Sequence, residues 1–272
     1  MRPIRCLPLL LAAVLSACGG GHHTQRPIPT PATPQPPAQA TPGKAGLPPT
    51  ETVREGGLLR LNYEGFTVWL DCKERAAVKF RYNAQRDTGH EPRAEDFKLD
   101  PSVPKECQQT SAAAYGQGYD RGHQVPANHL DASPVSIKQS NYMTNILPQA
   151  SNMNRGAWLL TEEIVECYRD IDELLVLGGV IWGNNAANDL FVKSHGVRTP
   201  DAFWKVVVRG NGNAIAWIVP NTKDATKAKL DGYLVTVADI EKRTGEKLPV
   251  TGDARTTKPK GSWVVPVGCD KG

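Results

Sequence analysis

The stretch YDRGHQVPANHL, residues 119–130, sets an aspartate, an arginine and two histidines within twelve positions. Imidazole is the side chain whose ordinary pKa, near ~6.5, leaves it largely neutral at pH 7 and able to accept a proton. Downstream, SNYMTNILPQASNMNRGAWLLTEEIVE supplies Asn141, Asn145, Asn152, Asn154 and Glu162. Amide and carboxylate oxygens are the ligands that hard cations such as Mg²⁺ prefer. One histidine among few protein oxygens suits a metal that keeps most of its waters. Such a metal can neutralise charge on a phosphate oxygen while a separate imidazole takes a proton from water. The competing reading is plain: loop asparagines usually hydrogen-bond turns, and a single histidine is more often structural than catalytic.

These residues need elements to hold them. NRGAWLLTEEIVECYRDI carries apolar residues at Trp158, Leu159, Ile164, Val165 and Tyr168 and is the clearest helix. At ~100° per residue, eight steps leave Asn154 and Glu162 about 80° apart around the axis, whereas Glu163 points away. LLRLNYEGFTVWLD and RAAVKFRYNA alternate apolar and polar residues as half-buried antiparallel strands do. ELLVLGGVIWG is a continuous apolar run that reads as a central strand. AFWKVVVRGNGNAIAWIVP places two β-branched runs around Gly210-Asn211-Gly212, a hairpin signal, and TVADIEKRTG makes a shorter helix. Strands dominate with helices inserted, so the fold class is α+β with a central antiparallel sheet.

The first fifty of the 272 residues do not read as fold. Residues 1–17 combine Arg2 and Arg5 with an apolar run from Leu7 to Leu15, a secretory signal too short to span a membrane. Leu15-Ser16-Ala17-Cys18-Gly19 resembles a bacterial lipobox, which would make Cys18 the acylated mature N-terminus; ordinary cleavage to a soluble product is the alternative. Either way the protein is exported, and lipidation would make it a membrane lipoprotein, expected at the outer membrane facing the periplasm or the cell surface. Residues 18–50 form a tether rich in proline, threonine, alanine and glutamine, too poor in apolar surface to fold. Residues 51–272 then make one globular domain.

Export changes the meaning of the six cysteines. With Cys6 and Cys18 accounted for, Cys72, Cys107, Cys167 and Cys269 are most simply two disulfides with three possible pairings. A four-cysteine zinc site competes weakly, because none of the gaps is short. Lys plus Arg number 32 against 28 acidic residues, and the balance is nearer neutrality once Arg2 and Arg5 leave, so net charge alone implies no nucleic-acid partner.

Three ordered motifs resemble the DNA/RNA non-specific endonucleases, the Serratia-nuclease type of ββα-metal nuclease: Asp120-Arg121-Gly122-His123, Asn145-Ile146-Leu147-Pro148-Gln149, and Asn154-Arg155-Gly156-Ala157-Trp158 with Glu162 beyond. The likeness extends loosely over residues 58–267. It implies a ββα-metal finger as active site, with His123 on its strand arm as general base. It implies Asn154 as the direct ligand of Mg²⁺, or Mn²⁺, and Glu162 as a residue holding the metal's waters. Asn145 matches a residue that helps place the phosphate or a metal-bound water. Arg93 in PRAEDF falls where the family carries a phosphate-clamping arginine, with Arg86 and Arg81 as possible substitutes. Asp120 and Arg121 are expected to brace the finger, Arg121 also reaching substrate. The implied reaction is hydrolysis of DNA and RNA backbones without sequence preference, leaving 5′-phosphate ends, and no obligate protein partner is implied.

One position departs from the pattern. Where several relatives carry a second arginine, four residues after the helix glutamate, this chain has Glu166, with Arg169 three further on. A like-charged acid facing phosphate is unfavourable, so either Glu166 turns away or Arg169 takes over. Two other functions compete: a tethered nucleic-acid-binding module without turnover, and a phosphodiesterase for smaller phosphoesters.

Overall fold

In the computed structural model, residues 47, 50–184 and 186–271 are described. The expected signal, Cys18 and nearly all of the tether lie outside them. Among the described residues there are nine strands: β1 (Glu51–Glu55), β2 (Leu58–Tyr63), β3 (Phe66–Asp71), β4 (Ala76–Ala84), β5 (Tyr119–His123), β6 (Ile146–Ala150), β7 (Leu174–Ile181), β8 (Ala202–Arg209) and β9 (Ala214–Pro220). The helices are α1 (Pro134–Ser140), α2 (Ser151–Met153), α3 (Leu159–Arg169), α4 (Val192–His195), α5 (Val237–Thr244) and α6 (Asp253–Thr256).

Seven strands form one antiparallel sheet in the order β1-β2-β3-β4-β7-β8-β9. The apolar run of β7 is its interior strand, joined to β4 on one side and β8 on the other. Strand alternation divides the apolar residues between two faces. Leu61, Val68, Phe80, Val176 and Phe203 enter the larger core, shared with Trp158, Ile164 and Val165 of the helical segment. Leu177, Trp204, Val206 and Ala216 enter a second core against Val237 and Ile240 of α5. That short helix has a Thr236–Asp239 capping box and a left-handed Gly245 at its end, as TVADIEKRTG suggests.

Four cysteines make two disulfides, Cys72–Cys107 and Cys167–Cys269. Among the described residues no helix is long and apolar enough to cross a membrane.

The segment expected as one regular helix is not one. α2 and α3 are joined through a π-turn over Asn154–Trp158, in which Gly156 leaves helical geometry at φ −116° and ψ −108°. A Cβ on Gly156 would lie 2.9 Å from the Ala225 carbonyl oxygen and 3.1 Å from the Thr226 Cα, so close approach of that loop requires glycine. Ala157 N–H donates to the same carbonyl at 3.1 Å, which accounts for the break. The 80° separation of Asn154 and Glu162, which assumes an unbroken α-helix, therefore does not apply.

Candidate active site

β5 and β6 form a separate two-stranded ribbon, in register from Tyr119 opposite Ala150 to His123 opposite Ile146. The chain then passes through the π-turn into α3, completing a strand–strand–helix unit whose helix packs on β4 and β7. Gln149 crosses beneath the ribbon, its Nε2 donating to the His123 carbonyl at 3.2 Å, and Trp158 Nε1 donates to that oxygen at 3.2 Å. A Cβ on Gly122 would sit 2.2 Å from the Gln149 side chain, so the motif's glycine makes room for this crossing.

His123 is 7 % exposed. Its Nε2 lies 2.8 Å from Asn141 Oδ1. Asn141 Nδ2 donates to the Ala94 carbonyl at 2.7 Å, which fixes the amide's orientation and makes Oδ1 the atom that faces the ring. In the neutral ring the proton therefore sits on Nε2 and Nδ1 is left to accept. Burial, the Arg93 charge and the Arg121 charge push the imidazole down to about 4, the Asn141 bond offsetting only part of this.

A cleft of about 760 Å³ brings His123 together with Arg93, Arg121, Asn154 and Glu162. Arg93 is exposed at its edge. Arg121 stacks on Phe97, its guanidinium carbon 3.9 Å from the ring centroid, and donates to the Ala112 carbonyl at 2.9 Å. Asn154 Nδ2 donates to Asp120 Oδ2 at 2.9 Å, which leaves Oδ1 as its available donor atom. Asp120 also receives a two-pronged bond from Arg155, at 2.8 Å on each oxygen, and one from Ser151 at 2.9 Å. Burial pushes the Asp120 carboxyl up, but these hydrogen bonds outweigh it and hold the group below its ordinary value. Asp120 thereby ties the ribbon to the start of the helical segment.

Glu162 lines the cleft and Glu163 does not; Glu163 contacts Lys227 instead. Burial pushes the Glu162 carboxyl up to about 7, against the opposing pull of Lys205 and Arg93. Lys205, on β8 and fully buried, lies 4.0 Å from Glu162 Oε1, 3.8 Å from the Trp158 ring centroid, and donates to Thr161 Oγ1 at 2.8 Å. Burial lowers this ammonium to about 8, so it remains cationic at neutral pH.

Asn145 is not brought to the cleft, which corrects its expected role at the phosphate or metal water. It is fully buried, with Nδ2 donating to the Val125 and Ser140 carbonyls and Oδ1 accepting from Val125 N–H, all within 2.9–3.0 Å. Its amide is consumed in shaping the loop after His123. Arg86 donates to the Asp170 carbonyl and Arg81 lines a different pocket, so neither substitutes for Arg93.

Glu166 turns away from the cleft, and Arg169 does not take its place there. Glu166 is 1 % exposed and accepts from Arg169 Nε at 2.7 Å and Asn128 Nδ2 at 3.0 Å, with His129 Nε2 at 3.1 Å. Arg169 also reaches Asp87 at 3.1 Å. Burial pushes Glu166 up, but His129 and Arg169 outweigh it and hold the carboxyl low. Burial lowers the His129 imidazole below its ordinary value against the opposing pull of Glu166, and its Nδ1 lies 2.8 Å from the Tyr82 hydroxyl.

Asn128 and Lys205 are neighbours of the cleft that the sequence reading does not name, and Asn141, offered there only as an oxygen ligand, stands against His123 Nε2. Lys205 had a signal: in AFWKVVVR it shares strand parity with Phe203 and Val207 of the larger core. Among the described residues no three His, Cys, Asp or Glu cluster as a metal site. One amide oxygen and one carboxylate fit a hard cation that keeps its waters, and argue against a zinc-type cage.

The DNA/RNA non-specific endonuclease family model matches residues 50–253. Nuclease C1 of Cunninghamella echinulata var. echinulata is 30 % identical over 161 residues, covering 55 % of this chain and 64 % of that protein. The nuclease of Serratia marcescens is 29 % identical over 179 residues, 60 % of this chain and 65 % of that protein. Human mitochondrial endonuclease G is 27 % identical over 218 residues, 74 % of this chain and 71 % of that protein. The matched part of the chain spans less than two thirds of the first two, and under half of mouse mitochondrial nuclease EXOG at 45 %. A solved EndoG/EndoGI complex shares the fold, with a TM-score of 0.56 at 19 % identity over 68 % of this chain and 83 % of that one.

Proposed function

Because the chain belongs to the DNA/RNA non-specific endonuclease family, we propose that it is a Mg²⁺-dependent hydrolase that cuts the phosphodiester backbone of DNA and RNA without reading sequence. The observation that carries this reading is His123: a buried neutral imidazole whose Nε2 is held by Asn141, in one cleft with Asn154, Glu162 and two arginines. Binding alone needs no such base.

In this mechanism His123 Nδ1 takes the proton of the attacking water as the oxygen adds to phosphorus. Arg93 and Arg121 donate to non-bridging phosphate oxygens, where charge grows most in the transition state. Asn154 Oδ1 would hold the cation directly and Glu162 through water; when bound, Mg²⁺ supplies neutralising charge at a phosphate oxygen. Asp120 keeps Asn154 oriented, and Lys205 opposes the protonation of Glu162 that burial favours. The bond from phosphorus to the 3′ oxygen breaks, that oxygen takes a proton from a solvent water and leaves as a 3′ hydroxyl, and the attacking oxygen stays on phosphorus as a 5′-phosphate end. The contacts assigned go to phosphate, metal and water rather than base edges, so low sequence specificity is expected.

Cleavage of supercoiled plasmid and structured RNA, with Mg²⁺ or EDTA, tests the reading. Cutting of both polymers should require the metal and fall on the order of 10²–10⁴-fold in His123→Ala. Native protein that binds both polymers in a salt-sensitive way yet cuts neither would be a binding module; cutting of small diesters alone would make it a phosphodiesterase for them. We further propose, from the lipobox-like Leu15-Ser16-Ala17-Cys18-Gly19 alone, that the enzyme is anchored to a membrane through Cys18, so Cys18→Ser should move it from the membrane fraction to the soluble one.

A further inference from the structure

Residues 254–271 lie beyond the region matched to the family, yet they return to the cleft. The path is held first at Trp217 Nε1, which donates to Ser262 Oγ at 3.0 Å. Trp263 then packs on Tyr168 of α3 with ring centroids 5.0 Å apart, and the Tyr168 hydroxyl donates to the Val264 carbonyl at 3.2 Å. The next stretch is loosely held: Val265 packs against the larger core, but Val264 is 79 % exposed and Val267 fully so. The chain is recaptured at Cys269 by its disulfide to Cys167 on α3. Two residues later, Lys271 lines the cleft that holds His123, Asn154 and Glu162.

Lys271 shares its acidic partner. Its ammonium lies 3.8 Å from Glu163 Oε2, but the other oxygen of that carboxylate already contacts Lys227. One carboxylate thus serves two ammoniums, so neither pair is exclusive. Arg155, also on the cleft, is neutralised by Asp120. Lys271 is 52 % exposed in its side chain, so it can turn from Glu163 to an incoming anion without being unpacked.

We propose that Lys271 contacts a backbone phosphate of the nucleic acid along the α3 wall of the cleft, and that the Cys167–Cys269 disulfide holds it there. This rests on the nuclease reading above for the identity of the anion. Lysine suits the task as a mobile point charge that needs no fixed approach angle. The disulfide limits how far the loosely held stretch can carry it away.

The test is equilibrium binding of a labelled DNA duplex by the whole protein in EDTA, over a salt series, for native protein, Lys271→Ala, Cys269→Ser and the double variant. Losing one phosphate contact should reduce the slope of log K against log salt by about 0.9 in magnitude. Lys271→Ala and Cys269→Ser should each show that reduction, and the double variant no more than either. Lys258→Ala, on an exposed irregular segment outside the cleft lining, should keep the native slope. An unchanged slope in Lys271→Ala overturns the phosphate contact, and that position is exposed enough to decide the matter even where Cys269→Ser costs stability. An unchanged slope in a folded Cys269→Ser overturns the role of the disulfide. Native protein that shows these slope changes but cuts nothing with Mg²⁺ overturns the nuclease reading alone, whereas normal cutting with unchanged slopes overturns this inference alone.

Discussion

Asn141 fixes which nitrogen of His123 can act, because its own amide is locked by the Ala94 carbonyl. Asn141→Ala should therefore lower kcat by about 10–100-fold, as loss of an orienting partner does elsewhere. Asn141→Asp should keep the hydrogen bond while its charge raises the imidazole pKa, moving the acidic limb of the rate profile upward. Two opposed stability effects accompany this site in the metal-free protein. Unfolded histidine titrates near ~6.5 but folded His123 near about 4, so below ~6.5 the unfolded chain gains a proton the native state refuses. That contribution makes stability fall as pH drops through the interval. Glu162 runs the other way: its folded value of about 7 exceeds the ordinary value of 4.5, so its contribution is present below 4.5 and lost as pH rises towards 7. The two largely cancel in the native chain. Glu162→Gln should expose the His123 trend, with urea midpoints rising from pH 4.5 to 6.5, and His123→Gln should expose the reverse; flat profiles in both variants would refute the assigned shifts.

α3 is held to the loop after His123 by the Glu166 cluster, and this is where the departure from the family pattern has its physical meaning. Glu166→Ala leaves the buried Arg169 with Asp87 but without its nearer carboxylate, and should cost about 3 kcal/mol in urea unfolding, the lower end for a broken buried pair. Glu166→Arg should be worse, since it sets a second cation beside Arg169 instead of adding one to the cleft. Strands β2, β3, β4 and β7, the β8–β9 hairpin and α5 were legible because each carries its own periodicity, apolar run or turn chemistry, whereas the exposed ETVRE of β1 offers none and was not read. The β5–β6 ribbon was reached only through its motif, since five-residue strands containing Gly122 and Pro148 show no alternation to read. The π-turn was hidden because its cause is the Ala225 carbonyl, about seventy residues away in sequence. For the same reason the family resemblance put Asn145 at the phosphate or a metal-bound water, and only the fold shows its amide used up by Val125 and Ser140.

At the scale of the whole domain, the two disulfides join segments that no local pattern connects. Cysteine spacing left three pairings open; the observed one follows from which surfaces meet. Cys72, just after β3, is bound to Cys107 in the loop leading to the ribbon, 35 residues away, while Cys167 and Cys269 span 102 residues. In the chain-entropy account, closing loops of these sizes destabilises the unfolded state by about 4 and 5 kcal/mol respectively. Only the second staple bears on the cleft, through Lys271. Replacing Cys72 and Cys107 by alanine should therefore lower the free energy of unfolding by roughly 4 kcal/mol and leave the salt slope for DNA at its native value. Replacing Cys167 and Cys269 should lower both. If the first pair also reduced the slope, the staples would act through general loosening of the domain, and the distinction between a stabilising disulfide and one that positions a cation would fail.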